Sequence, residues 1–383
     1  MTFEGEMLRR PWVVVGDIHL HAHADPVMAD DLARLVREVT QSEPEALIAF
    51  NGDTFDLDRV RGEPRCGIGA EPAARRLERI VACFSGVFDA LEQHLAAGGQ
   101  LVFVAGNHDA ELLLDPVRDT LIRRLGSRVE VVEQLVVEDR VLEHGHQSDP
   151  DAAFHPDPRT ALAKLRLSAF PLASLITRAL LSHIPRFELD DDNHQTPLRV
   201  LARVLRDYKL SALEMIARFP FAGLRIAWHS LLARQRGDVS VRSETSMRSP
   251  WRVVRRLYLD RYFGVAVGLP LALALVAGFV PRWVGWPVGL MAVTLAIPPV
   301  RRKQFAHRDV RRCAALAREH GARGARLVVL GHIHRTFVRT LDDGCVYANH
   351  GAFSLHVQDG TAHRTYLRVD REGACTVQRI ACP

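Results

Sequence analysis

Residues 13–21 read VVVGDIHLH, a run of β-branched residues that ends in Gly16 and is followed by Asp17 and His19 two positions apart. Such an uninterrupted apolar run suits a strand buried on both faces. In open α/β sheets, ligands bind beyond the carboxyl ends of the strands, where loops can carry polar groups that a core could not hold. An Asp-x-His pair placed there offers one oxygen and one nitrogen to a metal ion. A single pair of this kind is common by chance, so the reading depends on how the other strands end.

Four more apolar runs end in the same manner. Residues 46–50 lead into Asn51-Gly52-Asp53-Thr54-Phe55-Asp56, and residues 100–105 into Gly106-Asn107-His108-Asp109. Residues 136–143 lead into His144-Gly145-His146-Gln147, and residues 326–330 into Gly331-His332-Ile333-His334. Each end supplies side chains of the metal-binding type and a glycine where the backbone must turn or approach a ligand closely. Between the ends lie helical patterns over residues 25–40, 73–97 and 111–125, while residues 128–143 read as two strands. Strand and helix alternating in this way imply an α/β domain with a mainly parallel sheet and helices on both faces.

The alternation stops after Pro150. Leu- and Arg-rich helical segments over residues 159–181, 197–219 and 223–236 take its place, and the βα rhythm resumes with a helix at 309–320 and the strand at 326–330. The expected organisation is one catalytic domain built from residues 1–149 and 305–383, interrupted by a helical insertion over 150–304. Residues 344–354 and 363–380 read as strands of a second sheet edge. The segment 159–181 carries an apolar face with Lys164, Arg166 and Arg178 interspersed, which fits either a lid over the cleft or a helix packed on the sheet.

The net charge of +5 hides an asymmetry. Residues 242–312 hold thirteen Arg or Lys against three acids, so the remainder carries an excess of negative charge. That distribution argues against a general nucleic-acid binder. The six cysteines show no Cys-x-x-Cys spacing, so neither a zinc site nor a disulfide framework is expected. The first residues lack the basic start and apolar core of a secretory signal.

Within the basic region, residues 263–280 and 283–300 contain no charged residue. At eighteen residues each they lie near the lower limit of about 17–25 for a spanning helix. Trp283 and Trp286 open the second stretch, at the tip of the hairpin where an aromatic belt would lie, and Arg252, Arg255, Arg256, Arg261, Arg301, Arg302 and Lys303 flank the pair of stretches. A hydrophobic hairpin over 263–300 is expected, with the basic flanks and the catalytic domain on the cytoplasmic side of a membrane. Pro270, Pro281, Pro287, Pro298 and Pro299 shorten its helices, so a spanning hairpin, an interfacial one and a buried soluble one are all open.

Taken as an ordered set, Asp-x-His, Gly-Asp-x-x-Asp, Gly-Asn-His-Asp, a further His and Gly-His-x-His resemble the calcineurin-like metallophosphoesterase superfamily. The resemblance covers residues 12–146 and 326–354. It implies a sandwich of two mixed sheets flanked by helices, and a hydrolase of phosphate esters or pyrophosphates that uses two divalent metal ions. Manganese is expected ahead of iron, zinc or magnesium. By the same resemblance Asp17, His19 and His334 would hold one ion, Asn107, His144 and His332 the other, and Asp53 would bridge them. His108 would act at the leaving oxygen, with Asp109 orienting it, and Asp56 would be a supporting partner.

Within the superfamily, the helical insertion and the apolar stretches are loosely similar to the UDP-2,3-diacylglucosamine pyrophosphatases, which typically carry Arg where this chain has His108. A lipid-linked substrate is expected on that ground. A tethered phosphodiesterase or phosphatase acting on a soluble nucleotide or phosphoprotein is the alternative, and a non-catalytic membrane scaffold a third reading.

Overall fold

This computed structural model describes residues 10–154, 170–179, 181–183, 197–235, 303–354, 356–358 and 361–382, together with Arg159, Leu162 and Val254. The chain falls into two compact units, Met1–Asn193 with Ala306–Pro383, and His194–Phe305.

The first unit is a mixed α/β fold. Its first sheet has seven strands, in which β1 (Trp12–Val15), β2 (Leu47–Asn51), β3 (Gln100–Val104) and β4 (Val129–Val132) run parallel. On the other side β1 pairs antiparallel with β11 (Thr361–Val369), which also pairs with β10 (His356–Gln358) and β12 (Cys375–Ala381). The second sheet runs β5 (Gln134–Val137), β6 (Arg140–Glu143), β7 (Leu327–Leu330), β9 (Val346–His350), β8 (Thr336–Thr340). β6, β7 and β9 are parallel, and β5 and β8 pair antiparallel at the edges.

Alternation along β1 explains how these sheets become layers. Side chains of a strand point to opposite faces in turn. Val13 and Val15 join Ile48, Phe50, Leu101 and Phe103 in a core shared with α1 (Pro26–Ser42), α2 (Ala70–Cys83), α3 (Ser85–Ala96) and α4 (Asp115–Leu125). Trp12 and Val14 point the other way, into a core with Leu142, Val329 and Ala348 from the second sheet. The far face of that sheet, with Val328, Leu330 and Tyr347, packs against Cys313, Ala314 and Ala317. β1, β2, β3 and β7 are therefore buried on both faces, as their unbroken apolar runs require.

The structure departs from the sequence pattern in several places. The helix expected over 73–97 is two helices, because Phe84 leaves helical geometry (φ −121°, ψ 41°) while its N–H still closes on Ile80 O. Ser85 and Gly86, weak helix formers, follow at the restart. The two strands read over 128–143 are three, since β5 and β6 form an antiparallel hairpin of the second sheet. The helix read from residue 111 begins as a single tight turn, Ala110–Leu113, before α4. Of the closing strands only β9 belongs to the second sheet; β11 and β12 complete the first.

After Pro150 the first unit holds helix α5 (Leu172–Ala179). The second unit contains α6 (Pro197–Gln235), kinked at Lys209, which has φ 44° and ψ −113°. Helix α7 (Lys303–Ala322) leads back into β7. No helix among the described residues is long and apolar enough to cross a membrane. The hairpin expected over 263–300 lies outside the described residues.

Candidate metal centre

The loops after β1 and β2 are zipped together by backbone hydrogen bonds. Asp17 N–H donates to Gly52 O at 3.0 Å, Ile18 and His19 N–H both donate to Asp53 O at 3.0 and 2.9 Å, and Leu20 N–H donates to Thr54 O at 2.9 Å. These bonds set Asp17 beside Asp53 at the carboxyl end of the sheet. After β7, His332 N–H donates to Asp17 Oδ2 at 3.0 Å, and after β3, His108 N–H donates to Asp53 Oδ1 at 2.8 Å. Each of the two carboxylates thus ties together loops from distant parts of the chain.

The local backbone is unusual. Of the seven described non-glycine residues with positive φ, five are Asp17, His19, Asp53, His332 and His334, at 49°, 56°, 49°, 67° and 52°. A left-handed non-glycine residue costs roughly 1–3 kcal/mol and persists where surrounding structure holds it, commonly at functional sites. Concentration of that strain on five candidate ligands marks this end of the sheets as the place the fold is built to present.

The side chains meet there. Asp17 Oδ1 lies 3.0 Å from His334 Nε2 and 3.9 Å from His144 Nε2, and Asp53 Oδ2 lies 3.1 Å from His144 Nε2. Three groupings, Asp17–His19–His334, Asp17–Asp53–His144 and His19–Asp53–His108, each bring one potential ligand atom per residue within 4.8 Å of the others. Asn107 is buried with its Oδ1 lacking a hydrogen-bond partner. His332 packs its ring 5.4 Å from that of His144, with its Nε2 3.4 Å from Asp149 Oδ2.

Hydrogen bonding fixes the tautomers. The carbonyl of Asn51 accepts from His144 Nδ1 at 3.2 Å and from His350 Nε2 at 3.3 Å. Because a carbonyl can only accept, Nδ1 of His144 carries a proton and Nε2 is the nitrogen that faces Asp53 and Asp17. His350 turns its Nδ1 toward Asp17 Oδ2 at 3.8 Å. His350 was not among the expected ligands, although Asn349-His350-Gly351 at the end of β9 is one more strand end with a histidine and a glycine.

Electrostatics follow from two buried carboxylates among imidazoles. Burial opposes ionisation of Asp17 and Asp53, yet His334 and His144 at Asp17, and His144 and His108 at Asp53, hold both carboxyls well below the usual range. Burial would lower His144, but Asp53 and Asp17 outweigh it and raise the imidazolium to about 9. His108 is raised to about 10 by Asp53, Asp58 and Asp56 against the same burial. His146 is buried against His144 and His332 and is held well below its ordinary value by burial and those neighbours.

Asp109 does not sit where the sequence reading put it. Its Oδ2 accepts from Thr54 and Phe55 N–H at 2.8 and 3.1 Å, and its Oδ1 accepts from Gly106 N–H at 2.6 Å. It fastens the loops after β2 and β3 to each other. The carboxylates at the His108 ring are Asp58, with Oδ2 3.1 Å from Nδ1, and Asp56, with Oδ1 at 3.7 Å. Asp56 is also held by Arg59 Nε at 2.8 Å.

This donor set fits divalent cations. Carboxylate, amide and imidazole donors are what borderline and hard divalent metals take, and clustered buried carboxylates with an unpartnered amide oxygen need cations for compensation. No curated protein matches the chain. Residues 11–213 match the family of calcineurin-like phosphoesterases, whose chemistry uses a dinuclear divalent metal centre. With that match running over half the chain and through Asp17, His19, Asp53, His108 and His144 of the cluster, the chain belongs to the calcineurin-like phosphoesterase family and is a metal-dependent hydrolase of phosphoric esters.

Proposed function

We propose that the protein hydrolyses a phosphate ester or pyrophosphate bond at this centre, with Asp17, His19 and His334 holding one divalent ion, Asn107, His144 and His332 the other, and Asp53 between them. The observation that carries the reading is the approach of Asp17, Asp53, His19, His144 and His334 to within 4.8 Å in overlapping groups. A pair of divalent ions neutralises phosphoryl oxygens and acidifies water enough to attack phosphorus near neutral pH. The chain's own residues orient the rest. Asn51 O holds the His144 ring by its Nδ1–H, so that Nε2 stays turned to the centre. The N–H of His108 donates to Asp53 Oδ1, which anchors the turn carrying Asn107 and His108. His108, with Nδ1 against Asp58, donates a proton to the departing oxygen. Manganese is the ion we expect, ahead of iron, zinc or magnesium.

The substrate we propose is lipid-linked and met at a membrane. Support comes from the uncharged stretches 263–280 and 283–300 and from their basic flanks, a charge pattern that favours the cytoplasmic face for the catalytic domain. A diacylated UDP-sugar of the kind cleaved by UDP-2,3-diacylglucosamine pyrophosphatases is the first compound to try. A second reading, a tethered enzyme acting on a soluble nucleotide or phosphoprotein, is favoured by one observation. Every candidate ligand comes from outside residues 150–304, so the centre is complete without the apolar stretches.

The test is a substrate panel on detergent-purified protein: diacylated UDP-sugar, cyclic nucleotide, phosphopeptide and an artificial phosphodiester, each with Mn²⁺, Mg²⁺, Zn²⁺ or chelator. Chelator-sensitive turnover highest on the diacylated compound supports the first reading. Turnover confined to soluble substrates, unaltered by deletion of 263–300, supports the second.

A further inference from the structure

Helix α5 lies outside the five motif-bearing segments, yet two of its residues reach the loop that carries Asn107 and His108. Ser174 and Arg178 are four residues apart and so share a helix face. Ser174 Oγ donates to the backbone carbonyl of Asn107 at 3.1 Å. Arg178 Nε donates to Asp58 Oδ1 at 2.5 Å, and its Nη2 donates to Glu111 Oε1. The other oxygen of Asp58 is the one 3.1 Å from His108 Nδ1. Arg178, Asp58, Glu111 and His108 are all buried, and the Phe170 ring lies 3.9 Å from the Arg178 guanidinium carbon.

A buried carboxylate needs a fixed cation, or it takes up a proton or swings away. Asp58 stands close to a second buried acid, Asp56, since both approach His108 Nδ1. Asp56 has Arg59 as its partner, and Asp58 has Arg178. A planar guanidinium donates in fixed directions, so spanning Asp58 and Glu111 sets the Asp58 carboxyl plane as well as its charge. Glu111 is held in turn by Arg76 Nη2 at 3.3 Å, which limits how far the bridge can drift.

We propose that Arg178 is a positioning residue for the hydrolytic reaction, acting through Asp58 to fix the ring of His108. Helix α5 is then a working part of the centre and not only packing on it. The proposal rests on the reading above that His108 serves the reaction, and the experiment separates the two.

The experiment uses the full-length, metal-loaded protein and a series of aryl phosphodiesters whose phenols differ in acidity. Variants are Arg178→Lys, Asp58→Asn, His108→Gln, and the first two each combined with His108→Gln. Metal content and thermal melting are recorded beside kcat and KM. We expect Arg178→Lys and Asp58→Asn each to lower kcat about 10–100-fold, the usual cost of losing a supporting partner. The loss should grow as the phenol becomes less acidic, with KM and metal content unchanged. With His108→Gln already present, either substitution should cost less than about threefold, because residues acting as one unit are not additive. The same loss in both backgrounds, or a loss equal across all phenols with lowered metal content, would overturn the proposal and leave Arg178 as a brace for α5. If His108→Gln itself lowers every phenol equally, the leaving-group role of His108 fails, while the coupling between backgrounds still decides Arg178. Should Arg178→Lys not fold, Arg178→Gln with Glu111→Gln, which removes one charge of each sign, takes its place in the cycle.

Discussion

His144 Nε2 stands 3.1 Å from Asp53 Oδ2, and the two residues come from loops ninety-one positions apart in sequence. The ring is held from behind by Asn51 O, so this nitrogen has one direction in which to act. Removal of the ring takes away the imidazole nitrogen that faces both Asp53 and Asp17. His144→Ala should lower metal-dependent turnover by about a hundredfold or more, beyond the 10–100-fold typical of losing an outer partner. Steady-state assay at saturating Mn²⁺, with circular dichroism to confirm the fold, checks this.

The proton on His144 makes a pH prediction. A metal ion takes only the neutral ring, so binding must displace a proton that is held up to about pH 9. Apparent Mn²⁺ affinity should therefore rise by about tenfold per pH unit from pH 6 to 8, one proton leaving per ion, and flatten above about 9. The sign for stability is opposite in the metal-free protein. A folded value raised from 6.5 to about 9 gives stability that is full below about 6.5 and lost as pH climbs through 9. Chelated protein should melt at a lower temperature at pH 9.5 than at 6.5. Titration calorimetry in two buffers and melting curves with and without chelator read both effects.

Two glycines allow the approach. Gly52 has φ +84°, and a Cβ there would lie 2.2 Å from His144 Nδ1; at Gly106 a Cβ would lie 2.2 Å from Asp53 Oδ1. Neither clash is with a flexible tip, since both side chains are buried and tied. Gly52→Ala and Gly106→Ala should each destabilise the protein by about 1–3 kcal/mol, as overpacking does, and reduce bound metal. Chemical denaturation and elemental analysis of the purified variants test this.

Asp109 offers a contrast between holding a loop and doing chemistry. Asp109→Ala strips acceptors from the buried N–H groups of Thr54, Phe55 and Gly106. Unsatisfied buried donors cost about 1–3 kcal/mol each, so the variant should lose on the order of 3 kcal/mol of stability. The surviving folded fraction should keep the leaving-group dependence of the parent. A leaving-group series steepened as in His108→Gln would return Asp109 to the role of orienting carboxylate.

How much of this was legible in the sequence depended on range. β1, β2, β3 and β7 were readable because β-branched runs, a glycine and an Asp or His fall within a few residues of one another, and short-range pattern is what periodicity reports. The break at Phe84 was hidden because the apolar stripe of 73–97 continues through it, and packing, not pattern, decides there. Asp109 was misplaced because adjacency to His108 suggested contact, whereas its side chain turns back to three backbone N–H groups. Arg178 could not be linked to Asp58, since the pair is 120 residues apart and Arg178 sits in a segment where arginines alternate with leucines. His350 carried the same signal as the other strand ends, and only the end of β9 in the structure shows it facing Asp17.

In the proposed centre Asp53 would be the carboxylate shared by two cations. Chelated and reloaded with Mn²⁺, the wild-type protein should hold two ions per chain by elemental analysis, and Asp53→Ala fewer than one, with phosphodiester turnover lost in the same variant. Two ions per chain and undiminished turnover in Asp53→Ala would contradict it.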